Sequence, residues 1–156
     1  MMLPNFRIRS LPTAEFRRAW PLVSVTHPGL TLQRWLAFAR TIRSSGRKAG
    51  MIAVEDQRGL IHAVAVYRVA DDVEKGRLLM VQPVICARLP GRDLDDVLAE
   101  GLKELAGAEQ CAGVVVETPV SGGALQDTAK ALIERGFIRH AIATYAPVSP
   151  QTRGSH

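Results

Sequence analysis

The stretch VQPVICARLPGRDLDDVLAEGL, Val81–Leu102, decides how the chain is read. An apolar run passes into a turn that carries two arginines around a Pro-Gly pair, and the turn opens a segment with Leu94, Val97, Leu98 and Leu102 at helical spacing. Two structures fit. One is a strand that delivers the chain into an anion-binding loop at a helix N-terminus. The other is a plain strand–turn–helix corner, with Asp93 as N-cap and Asp95 and Asp96 as first-turn carboxylates satisfying the helix end.

Working outward, FRIRSL predicts a short opening strand and PTAEFRRAW a helix with Thr13 as N-cap. Beyond the Pro28-Gly29 turn, Leu32, Trp35, Leu36, Ala39 and Ile42 predict a second helix that stops at Gly46, with Arg40, Arg43 and Arg47 on another face. MIAVED and LIHAVAVYRV flank QRG in a hairpin pattern, and RLLMVQPVIC adds a third strand after the polar turn ADDVEKG. The tail predicts a helix from about Leu94 to Leu105, a strand GVVVET, a helix ALQDTAKALIERG and a last strand FIRHAIATYAPV. The order β-α-α-β-β-β-α-β-α-β is that of an α/β (α+β) fold: a mixed, largely antiparallel central sheet with helices on both faces. A sheet that changes from antiparallel to parallel pairing can splay at the change, and ligands favour such openings.

Length and composition bound the rest. The 156 residues suit one domain over residues 1–148, with 149–156 as a flexible tail. No apolar run reaches the length of a bilayer span, and the N-terminus lacks the apolar core and cleavage site of a secretory signal, so a cytoplasmic location is expected. Cys86 and Cys111 are expected as reduced, buried thiols. Residues 1–50 hold nine Lys/Arg against one carboxylate, Glu15, for a net +8, whereas the remainder holds eleven against fourteen, for −3. Such a basic third attracts a polyanion or a phosphate-bearing ligand, or is a solvated helix face.

The element order over residues 6–148, together with RLPGRD, resembles the GCN5-related N-acetyltransferases. In that family the loop after the fourth strand reads Arg/Gln-x-x-Gly-x-Gly/Ala, and its main-chain amides hold the pyrophosphate of coenzyme A. Arg88 and Gly91 match the first and fourth positions, and Asp93 replaces the small residue at the sixth. A carboxylate about 4 Å from a phosphate charge is opposed by roughly 4 kcal/mol at an effective dielectric near 20, which Arg88 and Arg92 would offset. The resemblance implies acetyl-CoA as cosubstrate, contacts to it from Val84, Cys86, Arg88, Leu89, Gly91, Arg92 and Asp93, and a homodimer. It implies direct attack of an amine on the thioester, with a base that takes a proton from the amine. The tyrosine that commonly protonates the thiolate would fall near Leu132, and the family's asparagine is not found near Leu125.

Substitutes are Tyr145 on the last strand and Glu117 at the end of the fifth as catalytic groups, with His27 in the loop between the first two helices bordering the acceptor. Each also fits a bland role: a half-buried strand tyrosine, a solvated strand end, an exposed loop histidine. His62 and His140 alternate with Val64 and Ile138 and read as partly buried structural residues. No His, Cys and carboxylate cluster has metal spacing, so no metal is expected. Cys86 could be a nucleophile, but the sequence pairs it with no base. Three functions stay open. They are an acetyl-CoA-dependent N-acetyltransferase acting on a small-molecule or peptide amine, a non-catalytic binding or partner-regulating domain on the same scaffold, and a nucleic-acid binder using Arg34, Arg40, Arg43, Arg47 and Lys48. The last is the weakest, because no aromatic residues interleave that basic face as a stacking platform.

Overall fold

Residues 49–86 alternate so that Ile52, Val54, Ala63 and Ala65 face one side of a sheet while Met51, Ala53, Val64 and Val66 face the other, and both sets are buried. A sheet covered on both faces needs two helical layers, and the chain supplies them. A computed structural model describes residues 6–45, 48–87, 94–118, 132–134, 136–138 and 146–148. Its strands are β1 (Phe6–Leu11), β2 (Ala49–Asp56), β3 (Ile61–Asp72), β4 (Gly76–Cys86) and β5 (Gly113–Val116), side by side in that order. All neighbours are antiparallel except β4 and β5, which are parallel. The mixed sheet with helices on both faces matches the sequence reading.

One face is covered by α3 (Leu94–Ala108), whose Leu94, Leu98 and Leu102 repeat every four residues along the buried stripe. The helix crosses β1 closely enough that a Cβ on Gly101 would overlap Ile8 Cδ1. Gly50 has a parallel role on β2: a Cβ there would lie 2.8 Å from the hydroxyl of Tyr67, its cross-strand partner. Burial raises the Tyr67 phenol above its ordinary range, the charge of Glu109 adds to this, and a hydrogen bond with Ser10 opposes it.

A 3₁₀ helix (Thr13–Ala19), α1 (Trp20–Thr26) and α2 (Leu32–Ser44) cover the other face. The single helix expected from PTAEFRRAW is thus two elements, and Thr13 is not its cap. Pro12 occupies that position without a side-chain bond, and Pro21, which has no N–H to give, sits in the first turn of α1. α2 behaves as its spacing predicts. The Thr31 hydroxyl caps it by accepting from the Arg34 N–H at 3.1 Å, Trp35 and Ala39 are buried, and Arg34, Arg40 and Arg43 are exposed. Trp35 Nε1 donates to the Phe16 carbonyl at 2.8 Å and ties α2 to the 3₁₀ helix.

The β2–β3 turn is organised by Asp56. Its Oδ1 accepts from the N–H groups of Arg58 (2.8 Å) and Leu60 (3.0 Å), and its Oδ2 is 2.8 Å from His62 Nε2. The bond to His62 and those from the two amides hold the Asp56 carboxyl below its ordinary value of 3.8, against a smaller opposing effect of burial. A depressed carboxyl contributes stability that is present above pH 3.8 and lost as the pH falls through the lowered value. We therefore expect the acid limb of a melting-temperature–pH profile to flatten in Asp56→Asn, with the difference from the wild type shrinking below about pH 4.

At the far end of the described chain, residues 132–134 are helical. Gly136 (φ 92) donates to the Ile133 carbonyl and Phe137 to the Leu132 carbonyl, the bond pair that ends a helix at a left-handed glycine. The expected stop at Gly136 is where the helix ends. The expected last strand has its interior, residues 139–145, outside the described residues. Cys86 and Cys111 are free thiols as expected, but each is only partly buried.

Candidate functional site

The parallel ladder of β4 and β5 runs from Leu78↔Gly113 to Val81↔Val116 and ends with the Glu117 N–H donating to the Val81 carbonyl at 3.0 Å. There β4 changes register. Val81 pairs with Tyr67 and Val84 with Ala65, so β4 carries one residue more than β3 around Gln82 and Pro83. Proline has no N–H for the ladder, which makes this a natural place for a bulge. Beyond it β4 continues to Cys86 paired with β3, while its ladder with β5 ends at Val116. The described β4–β5 ladder thus ends at the bulge that Pro83 marks on β4.

A cavity of about 190 Å³ lies beside this point, under α2. Phe38 and Ile42 of α2, Val66 of β3 and Met80 of β4 give it apolar walls. Three polar side chains complete the lining: Arg68 in the second half of β3, Gln82 in the bulge and Glu117 just past β5. Tyr67 also borders it, but its ring packs over Gly50 in the α3-side core. Among the described residues, neither Arg68 nor Glu117 has a side-chain hydrogen bond or ion pair, and the two are not in ion-pair contact with each other. Two carboxylates elsewhere are matched: Glu55 takes three arginines, and Glu109 takes Lys48 and Arg77. Among the described residues no group of His, Cys, Asp or Glu is placed to hold a metal ion.

Glu117 is therefore at the cavity, and other sequence candidates are elsewhere. His27 caps the C-terminus of α1; its Nδ1 is 2.9 Å from the Thr26 hydroxyl, and it does not line the cavity. The side chains of Val84 and Cys86 pack in the α3-side core, so any contact they make with a ligand in the β4–β5 gap comes from main chain. Arg88, Leu89, Gly91, Arg92, Asp93 and Tyr145 lie outside the described residues. Leu132, where the family's tyrosine would fall, is buried. Arg68 is not among the residues that the sequence pattern picks out, although a signal exists: in VAVYR it continues the inward register of Val64 and Val66, where a solvated arginine is not expected. Ile42 reads only as helix core, and Phe38 is not picked out.

No protein-family model and no curated protein matches the sequence. Solved structures do. An aminoglycoside N-acetyltransferase in complex with CoA superimposes with a TM-score of 0.73 at 12% identity, covering 94% of this chain and 99% of that one. Glucosamine-6-phosphate N-acetyltransferase from Arabidopsis thaliana gives 0.66 at 20% identity over 92% and 99%. The aminoglycoside 6'-N-acetyltransferase of Acinetobacter baumannii gives 0.70 at 10% identity over 94% and 99%. The chain has the fold of the GCN5-related N-acetyltransferases, with β4 and β5 as its parallel pair.

Proposed function

We propose that the protein moves an acetyl group from acetyl-CoA to a primary amine, with the amine held in the cavity under α2 and Glu117 taking its proton. One observation carries the reading: on this fold, a carboxylate without a partner among the described residues lines a small, largely apolar cavity at the end of the β4–β5 ladder. Acetyl-CoA would bring the acyl group already activated as a thioester. The chain's own part is to receive an extended ligand along β4 past the bulge, where the described part of β5 no longer covers it. Arg88, Gly91 and Arg92 are proposed to meet the pyrophosphate, on sequence grounds, in the loop that leads into α3. As the C–N bond forms and the C–S bond breaks, the amine loses one proton, and Glu117 accepts it directly or through one water. Tyr145 is proposed, again from sequence, to return a proton to the thiolate. The solved proteins of this fold named above act, by their names, on amino sugars and aminoglycosides, which supports an amine acceptor. A cytoplasmic homodimer is the form proposed, on sequence grounds alone.

The buried Leu132 favours one alternative, a domain that binds the cosubstrate without turnover. Calorimetric titration with acetyl-CoA, then thiol release across an amine panel, separates the two. We expect saturable heat, a raised melting temperature and amine-dependent thiol release. Binding without release selects the alternative, and absence of binding ends both.

A further inference from the structure

We infer that the acceptor is a small amino acid with an apolar side chain, its amine at Glu117 and its carboxylate at Arg68; this rests on the acyl-transfer reading above. Opposite charges that share a small cavity ordinarily pair with each other or with a neighbour, since an uncompensated charge against apolar walls is unfavourable. Arg68 and Glu117 do neither among the described residues. A molecule that carries an amine beside a carboxylate meets both at once, and a simple amine meets only Glu117. Arg68 is exposed, at the rim, which suits a group that meets the charged end of an entering ligand by a paired, charge-assisted contact. The other walls of the cavity include Phe38, Ile42, Val66 and Met80, which suit an aliphatic side chain.

Size and field point the same way. About 190 Å³ lies below the ~300 Å³ where pockets for drug-sized ligands begin. A multi-ring aminoglycoside exceeds that volume and would have to extend past the rim. It would also approach under α2, whose exposed Arg34, Arg40 and Arg43 belong to the chain's +8 third and repel a polycation while attracting an anion.

The test compares leucine, leucinamide and an aminoglycoside as acceptors for the wild type, Arg68→Gln and Arg68→Lys, by thiol release, with calorimetry of leucine and leucinamide alone. Leucinamide is the less basic amine and has more of its nitrogen free at neutral pH, so a preference for leucine has to come from the site. We expect kcat/KM for leucine at least about tenfold above leucinamide. Arg68→Gln should remove about 10- to 100-fold on leucine, mainly through KM, with little change on leucinamide and partial recovery in Arg68→Lys. Equal use of leucine and leucinamide, equal losses on both in Arg68→Gln, or a preference for the aminoglycoside overturns this inference while leaving acyl transfer standing. Selective binding of leucine without turnover of any amine overturns acyl transfer, and with it leucine's role as acceptor, and leaves only the amino-acid contacts at Arg68 and Glu117. Neither binding nor turnover overturns both.

Discussion

Glu117→Gln is expected to lower kcat by about 10²- to 10⁴-fold while leaving acetyl-CoA affinity unchanged, the range that removal of a positioned general base usually gives. The substitution is well suited to isolating chemistry from folding. Gln has nearly the same shape, and the Glu117 side chain makes no ion pair or hydrogen bond among the described residues that the change would break. Its N–H, which ends the β4–β5 ladder at Val81, belongs to the main chain and stays in place. Stability should move by less than about 0.5 kcal/mol, as for most changes that touch no packed or paired group. The measurement is steady-state thiol release beside calorimetric titration of acetyl-CoA on the same preparations. If kcat falls less than threefold, the proton goes elsewhere and the assignment of Glu117 is wrong; if cosubstrate affinity falls with it, Glu117 is shaping the cleft.

Glu117 is legible in the amino-acid sequence and Arg68 is not, because the two depend on different kinds of information. The position of Glu117 follows from element order: a strand that ends in a carboxylate, in a sheet whose pairing changes sense, puts that carboxylate at the opening. Arg68 needs the register of β3, and a strand read as LIHAVAVYRV does not say which of its faces lies under α2. The meander itself is legible because alternation and turn residues are local signals, and the Thr31 cap and Gly136 stop are local as well. The division of the first helix is not, since apolar spacings of three and four are hard to separate over nine residues, and only Pro21 hints at a restart. His27 stands out for its loop, but where a loop residue points depends on contacts such as its bond to Thr26, which spacing does not encode. Glu55 escapes a sequence reading for the opposite reason. At the end of MIAVED it reads as a solvated strand terminus, and its partners are brought to it from residues 7, 9 and 18.

Those partners make Glu55 the other site where one substitution should have a large effect. Its side chain is 1% exposed and lies 3.3 Å from Arg7 Nη2, 3.2 Å from Arg9 Nε and 3.2 Å from Arg18 Nη2. Arg18 also donates to the Gly59 carbonyl at 3.0 Å, and Glu15 bridges Arg9 and Arg18. One buried carboxylate thus joins β1, the 3₁₀ helix and the β2–β3 turn. Removing one side of a buried ion pair destabilises by about 3–5 kcal/mol, because the charge left behind has lost its compensation. In Glu55→Ala the charges left behind are guanidiniums between 37% and 69% exposed, which can turn toward water, so the lower end, about 3 kcal/mol, is expected. Arg7→Ala should be far milder, under about 1 kcal/mol, since Arg7 is mostly solvated and two arginines would still hold Glu55. Urea denaturation of the two variants and of Glu55→Gln decides the matter: a Glu55→Gln midpoint indistinguishable from wild type would mean that packing, and not charge, holds the corner. Glu55 pairs with Ile61 at the start of β3, whereas the cavity residue Arg68 lies toward the other end of that strand. Activity per folded molecule of Glu55→Gln should therefore match wild type, which separates a loss of fold from a loss of chemistry at Glu117.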